Sequence, residues 1–141
     1  MKGGVVEDYR ISVKGLVIDG EKFLILEQKS SIGSIWTFPG GRVEPGESPE
    51  ETLNREVLEE IACKIKIIRP MGYYWAVGTN SKRWVCCVTY LCEISSGEID
   101  ITKNPDGGKI TKYRWVTKEE FLTDEYRVAD GTIKDFVRKE T

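Results

Sequence analysis

The chain has 141 residues, 31% of them charged and 40% hydrophobic, enough for a core without disulfide or metal staples. Its formal net charge of -2 offers no general attraction for nucleic acid or an anionic membrane, so an anionic ligand needs a local cation. Histidine is absent, which excludes histidine-based catalysis and histidine-containing zinc sites.

No apolar run follows Met1-Lys2-Gly3-Gly4 and no stretch approaches membrane-spanning length, so a cytoplasmic protein of one domain, 1–141, is expected. Tyr9 to Ile18 alternates through Ile11, Val13, Gly15 and Val17, and Asp19-Gly20 signals a tight turn into Phe23-Leu24-Ile25-Leu26. These segments read as a hairpin. Gln28 to Ser34 reads as a polar loop, and Ile35 to Phe38 as a short strand. Past a helix described below, Lys64 to Ile68 and Met71 to Val77 are strand-like with Pro70 between them. Gly78-Thr79-Asn80-Ser81 is a turn, Arg83 to Ile94 a long strand, and Ile99 to Lys109 an exposed loop. Tyr113 to Val116 is one more strand. Thr117-Lys118-Glu119-Glu120 opens a helix with a capping box, and Ile133, Phe136 and Val137 mark a last amphipathic helix. Helices scattered among more numerous strands predict an α/β or α+β fold with a mixed sheet. Cys86, Cys87 and Cys92 fall in a strand and Cys63 at a helix end, with no C-x-x-C pair. All four are expected as thiols, buried in the strand.

The chemistry concentrates between Gly40 and Glu60. Gly40-Gly41-Arg42-Val43-Glu44-Pro45-Gly46-Glu47 is a glycine-rich turn. Ser48-Pro49-Glu50-Glu51 then opens a helix: Ser48 caps it, Pro49 fits the first position and Glu51 completes a capping box. Leu53, Val57 and Ile61 form its apolar stripe. Glu56, Glu59 and Glu60 stand at i, i+3 and i+4 and converge on the neighbouring face, with Glu60 close to the stripe. Unpaired, such carboxylates repel one another and resist burial. A hard divalent cation, Mg²⁺ or Mn²⁺, relieves both problems. The plainer alternative is a solvated acidic face with Arg55 paired to Glu51 or Glu59.

Gly41, five residues, Glu47, seven residues, then Arg55-Glu56-Val57-Leu58-Glu59-Glu60 resembles the signature of the Nudix hydrolase family. Trp36-Thr37-Phe38-Pro39-Gly40 is similar to the strand that usually leads into it. The box runs over 23 residues, Gly41 to Cys63, and departs from the pattern at Ala62, where the family has glycine, and at Cys63, where it has an aliphatic residue. The resemblance implies an α/β/α sandwich and hydrolysis of the pyrophosphate in a nucleoside diphosphate linked to another group. A MutT-like action on nucleoside triphosphates fits first. It further implies Gly40 (through its carbonyl), Glu56, Glu59 and Glu60 as metal ligands, and Glu47 as a further ligand or a residue behind them. Glu56 is its candidate general base, with Arg55 orienting a carboxylate of the box.

Some relatives take the base from a later loop, and the acidic residues available for that are Glu98, Asp100, Asp106, Glu119 and Glu120. The position six before Trp115, often acidic in relatives, is Lys109, and the position three before it is Lys112; both could instead meet substrate phosphate or simply be solvated. Tyr73, Tyr74, Trp75 and Trp84 are candidates to stack on a nucleobase, against a reading of at least two as core. Trp36 and Phe38 straddle the metal turn. The implied partner is a small nucleotide. A nucleic acid is disfavoured by the lack of a basic patch, no membrane is implied, and the family admits a homodimer. The competing class is a Nudix-fold module that binds a nucleotide without turning it over.

Overall fold

One strand, β1 (Tyr9–Asp19), runs through the middle of the sheet, and the other elements are arranged around it. The computed structural model describes residues 9–77, 83–105 and 108–141. After β1 come β2 (Lys22–Ser30), β3 (Gly33–Thr37), β4 (Gly40–Arg42) and the helix α1 (Pro49–Ile61). Then follow β5 (Lys64–Val77), β6 (Trp84–Ser96), a 3-10 turn (Ile101–Lys103), β7 (Ile110–Thr117), α2 (Lys118–Phe121) and α3 (Thr132–Glu140). The main strand order is β3-β2-β1-β6-β5, with β4 also on β1 and β7 also on β2.

The expected first hairpin forms only at its tip. β1 pairs with β2 at Ile18–Phe23 and Asp19–Lys22, around the turn where Gly20 takes φ +63°. The two strands then diverge because β1 has other partners. Tyr9 to Val17 pair in parallel with Trp84 to Cys92 of β6, and Ser12 to Lys14 pair antiparallel with Gly40 to Arg42 of β4. The sheet is therefore mixed, as expected. Where β1 and β2 separate, Gly15 N–H donates to the Pro39 carbonyl at 2.8 Å and brings the end of β3 beside β1.

Three other expectations change. Gln28 to Ser34 is not a loop: β2 and β3 pair from Leu26–Thr37 to Ser30–Gly33, since cross-strand pairing outweighs the polarity of the segment. Pro70 does not break β5, which passes it with register shifts on either side. An outer strand of the sheet tolerates that. Within 99–109 the 3-10 turn is ordered and Asn104 is buried, so this connection is partly internal. The Gly78 to Ser81 turn lies outside the described residues.

Two cores hold the layers together. On one face Leu53, Val57 and Ile61 of α1 pack on Val13, Val17, Tyr90 and Cys92. On the other, Phe121 and the α3 residues Ile133, Phe136 and Val137 pack with Phe23, Phe38 and Tyr74. Phe23 meets Phe38 and Phe121 edge to face, with centroids 6.0 and 5.5 Å apart. Helices cover both faces of the sheet, giving the α/β/α sandwich. Cys63, Cys87 and Cys92 are buried thiols, whereas Cys86 is only half-buried. Burial pushes the Cys92 thiol up to about 12. Among the described residues no helix is long and apolar enough to cross a membrane.

Candidate active site

The helix that carries the glutamates is fixed at both ends. Ser48 Oγ accepts from Glu51 N–H at 3.1 Å and Glu51 returns a bond to Ser48 N–H at 3.1 Å, the capping box legible in the sequence. At the other end Ala62 takes the left-handed conformation (φ +60°, ψ +28°) in which the family has glycine, and donates its N–H to Leu58. The Ile61 carbonyl accepts from Asp100 N–H at 2.9 Å. The departure at Ala62 therefore leaves the turn geometry intact, at a cost of about 1–2 kcal/mol for a residue with a β-carbon.

The carboxylates meet the glycine turn from this helix. Glu60 Oε1 accepts from Gly40 N–H at 2.7 Å. Burial pushes Glu60 up to about 8; Lys14 and the Gly40 bond oppose this, while Glu56 and Glu59 add to it. Glu56 lies against Gly41, and its carboxyl is raised by burial in spite of its bond to Arg55. Glu59 is the more open of the three and touches Arg55 Nη1 at 3.5 Å.

Arg55 organises the rest. Its Nε and Nη2 form a two-pronged pair with Glu47 at 2.7 and 3.0 Å, Nη1 reaches Glu56 at 2.8 Å, and Nη2 reaches the Arg42 carbonyl at 3.3 Å. Glu47 also accepts from Glu44 N–H and Thr52 Oγ1, and Arg55 above all holds its carboxyl down at about 2. The simple Arg55–Glu51 pairing does not form, because Glu51 is spent on the cap. Arg55 ties the loop to the helix and holds the box carboxylates at once.

Both glycines are dictated by close approach. Gly40 has φ +141° and sits so tightly over β1 that a β-carbon would run into the Val13 carbonyl. At Gly41 a β-carbon would stand 2.6 Å from Glu56 Oε2.

One residue of the site escaped the sequence reading. Lys14, in the central strand, reaches the Phe38 carbonyl with Nζ at 3.4 Å, and its charge acts on both Glu60 and Glu56. A lysine amid the apolar alternation of a central strand was the available signal. It also lines a cavity of about 180 Å³ with Gln28, Trp36, Tyr74, Cys87 and Asp130. Of the aromatic candidates, Trp36, Phe38 and Tyr74 are all buried in one core, and Trp36 and Tyr74 also line this cavity. Tyr73, Trp75 and Trp84 are exposed, and strand alternation places Tyr73 and Trp75 on the opposite face from Tyr74.

Among the described residues, the acidic candidates outside the box place no carboxylate in the cluster. Asp100 accepts from Thr102 N–H, and Glu120 is spent in the α2 capping box. Glu119, Lys109 and Lys112 are exposed. Asp106 lies outside the described residues, and Glu98 is exposed. Among the described residues no three carboxylate or thiol groups stand ready as a complete metal cage. The donors nevertheless suit a hard cation: Glu56, Glu59 and Glu60 are close enough to repel, and one is buried on a backbone N–H with no cation in hydrogen-bond contact.

The family model of the NUDIX domain matches residues 8–136. The chain belongs to the NUDIX domain family. Among NUDIX relatives it is 28% identical over 112 residues to a MutT-like protein of Streptomyces ambofaciens, covering 79% of this chain and 66% of that one. It is 27% identical to an ADP-ribose pyrophosphatase of Methanocaldococcus jannaschii, over 63% of this chain and 53% of the relative, so it spans about half to two thirds of these proteins. In structure it is similar to a MutT protein from Methanosarcina mazei Go1, with TM-score 0.80, 24% identity and coverage of 96% and 95% of the two chains. A MutT NUDIX hydrolase from Burkholderia pseudomallei superposes with TM-score 0.79 at 18% identity, over 96% of this chain and all of that one. These likenesses establish the NUDIX fold.

Proposed function

We propose that this NUDIX chain is a Mg²⁺-dependent hydrolase, with Mn²⁺ as a substitute, of the pyrophosphate bond in a nucleoside diphosphate linked to another group, nucleoside triphosphates first. The observation that carries the reading is the packing of Glu56 and Glu60 against Gly41 and Gly40, with Arg55 holding Glu47, Glu56 and Glu59 beside them. Relatives named MutT-like protein, ADP-ribose pyrophosphatase and 8-oxo-dGTP diphosphatase support it.

Glu56, Glu59, Glu60 and the Gly40 carbonyl would hold the metal, with Glu47 behind them or as a further ligand. Bound there, a divalent ion lowers the pKa of a water and offsets charge on the phosphates. The remaining work falls to the chain. Glu56 has Oε1 engaged by Arg55 Nη1, which leaves Oε2 to take a proton from the attacking water. Arg55 fixes the direction of that carboxylate. Lys14 stands between the carboxylates and the cavity and meets substrate charge, while Trp36 and Tyr74 supply aromatic surface for a base.

The test is release of phosphate or pyrophosphate from nucleoside triphosphates, ADP-ribose, nucleotide sugars and dinucleoside polyphosphates, with Mg²⁺ and with chelator. Metal-dependent hydrolysis of one class supports the proposal and names the substrate. Saturable nucleotide binding with no turnover across the panel would replace it with a binding module.

A further inference from the structure

One wall of the cavity beside the carboxylate cluster is built from donors. Strand alternation sets Arg10, Ser12 and Lys14 of β1 on the same side of the sheet, and Ser12 and Lys14 line the cavity. Register carries Arg10 to its rim. Arg10 pairs with Val85 and Val85 with Ala76, and both of these also line the cavity. Lys14 Nζ makes a long bond to the Phe38 carbonyl at 3.4 Å, and its ammonium has further protons to give. Arg10 Nε is shut off from solvent and meets no acceptor. Among the described residues it is the one buried side-chain donor left in that condition. An unpaired buried donor is destabilising, so at the rim of a cavity it calls for an occupant that brings the acceptor.

The opposite wall does not answer that donor. Asp130 lines the cavity too, but Oδ1 accepts from Thr132 N–H and Oδ2 from Val77 N–H, each at 2.9 Å. The missing acceptor therefore comes from a ligand. A guanidinium carries charge as well as donors. A phosphate answers both at once, with two oxygens on the fork, where a neutral base edge answers only the hydrogen bonds.

Spacing along β1 says where on the substrate that phosphate lies. Lys14 pairs with Gly40 and so marks the end at the cluster. Arg10 is four residues away, about 13 Å along an extended strand. Tyr74, in register with Cys87 and Ser12, stands midway and offers a face to a base. With the scissile pyrophosphate at the cluster and the nucleoside in the cavity, the ribose hydroxyls are the places left to carry a further phosphate. We infer that the substrate bears, besides its pyrophosphate, a phosphate on the 2′ or 3′ oxygen of the ribose, and that Arg10 binds it while Lys14 meets the pyrophosphate. This deepens the pyrophosphohydrolase reading of the site and rests on it.

Isothermal titration with nucleotides that lack the scissile bond tests this apart from turnover. The probes are the 5′-monophosphates of adenosine and guanosine and their 2′,5′- and 3′,5′-bisphosphates, all with Mg²⁺ present. One bisphosphate should bind the wild type roughly 10-fold or more tightly than its monophosphate, the range for a charge-assisted pair. Arg10→Met, which keeps the apolar stem and removes the unpaired donor, should hold its urea midpoint and bring the two to within about twofold. Equal affinities in the wild type overturn the inference without recourse to a variant. A preference that survives in Arg10→Met overturns the assignment to Arg10. The hydrolysis panel reads the parent proposal separately: turnover of substrates with no preference for bisphosphates sinks this inference alone, and a preference with no turnover sinks the hydrolase reading while leaving the Arg10 site in place.

Discussion

The Glu56 carboxylate rests against the α-carbon of Gly41 so closely that a β-carbon there would stand 2.6 Å from Oε2. That contact joins the glycine turn to the helix and sets where the carboxylate can point. Gly41→Ala should therefore displace Glu56 and lower turnover by roughly 10- to 100-fold, the range for partners that orient a metal ligand, while unfolding midpoints stay near wild type. Gly40→Ala should behave in the opposite way. Its φ and its contact with β1 make any side chain cost about 3 kcal/mol or more in urea unfolding.

Glu59→Gln and Glu60→Gln should fold normally, and in the second variant the amide oxygen can still accept the Gly40 N–H. Each should lose at least about 100-fold in Mg²⁺-dependent turnover, because a ligand matters at least as much as the groups behind it. Near-wild-type rates in either variant would remove these residues from the site.

Arg55→Lys keeps the charge and loses the fork. A single ammonium cannot bond both Glu47 oxygens and also hold Glu56. Turnover should fall roughly 10- to 100-fold, and isothermal titration should show weaker Mg²⁺ binding. Wild-type kinetics in this variant would reduce Arg55 to a source of charge.

In chelator, stability should fall as pH rises between 4.5 and about 8. The folded-state pKa of Glu60 lies above its unfolded value, so across that window the native state holds a proton the unfolded chain releases. Glu56 shifts the same way and reinforces the slope. Urea titrations at several pH values should show this slope flattened in Glu60→Gln. At pH 8 a bound divalent ion should restore stability in the wild type by mass action.

Ala62→Gly should raise stability by about 0.5–1 kcal/mol, relief of the left-handed alanine being partly offset by glycine's greater entropy when unfolded. The urea midpoint is the readout, and a decrease would show that the alanine methyl contributes through packing.

What the sequence made legible was local. The capping boxes at Ser48 and Thr117, the apolar stripe of α1 and the spacing of Glu56, Glu59 and Glu60 all rest on neighbours within a turn or two. The partners of β1 did not follow, because the Asp19-Gly20 signal fixes a turn and says nothing of β6, which lies far along the chain. Lys14 was missed for the same reason: its value comes from Phe38, Glu56 and Glu60, which only the tertiary fold brings near it. Tyr73 and Tyr74 show the finer limit. They are adjacent and chemically alike, yet one strand step sends the first to solvent and the second to the cavity.

The parallel pairing of β1 with β6 also governs when the protein can work. Tyr9 aligns with Trp84, 75 positions later, so the central strand leaves the ribosome long before its main neighbour. α1 leaves in between, and its apolar stripe packs on Tyr90 and Cys92 as well as on β1. Contacts so distant in sequence form late, after their loop entropy has been met. A nascent chain halted before Trp84 will carry every glutamate and arginine of the cluster on a helix whose apolar stripe still lacks Tyr90 and Cys92 to pack on.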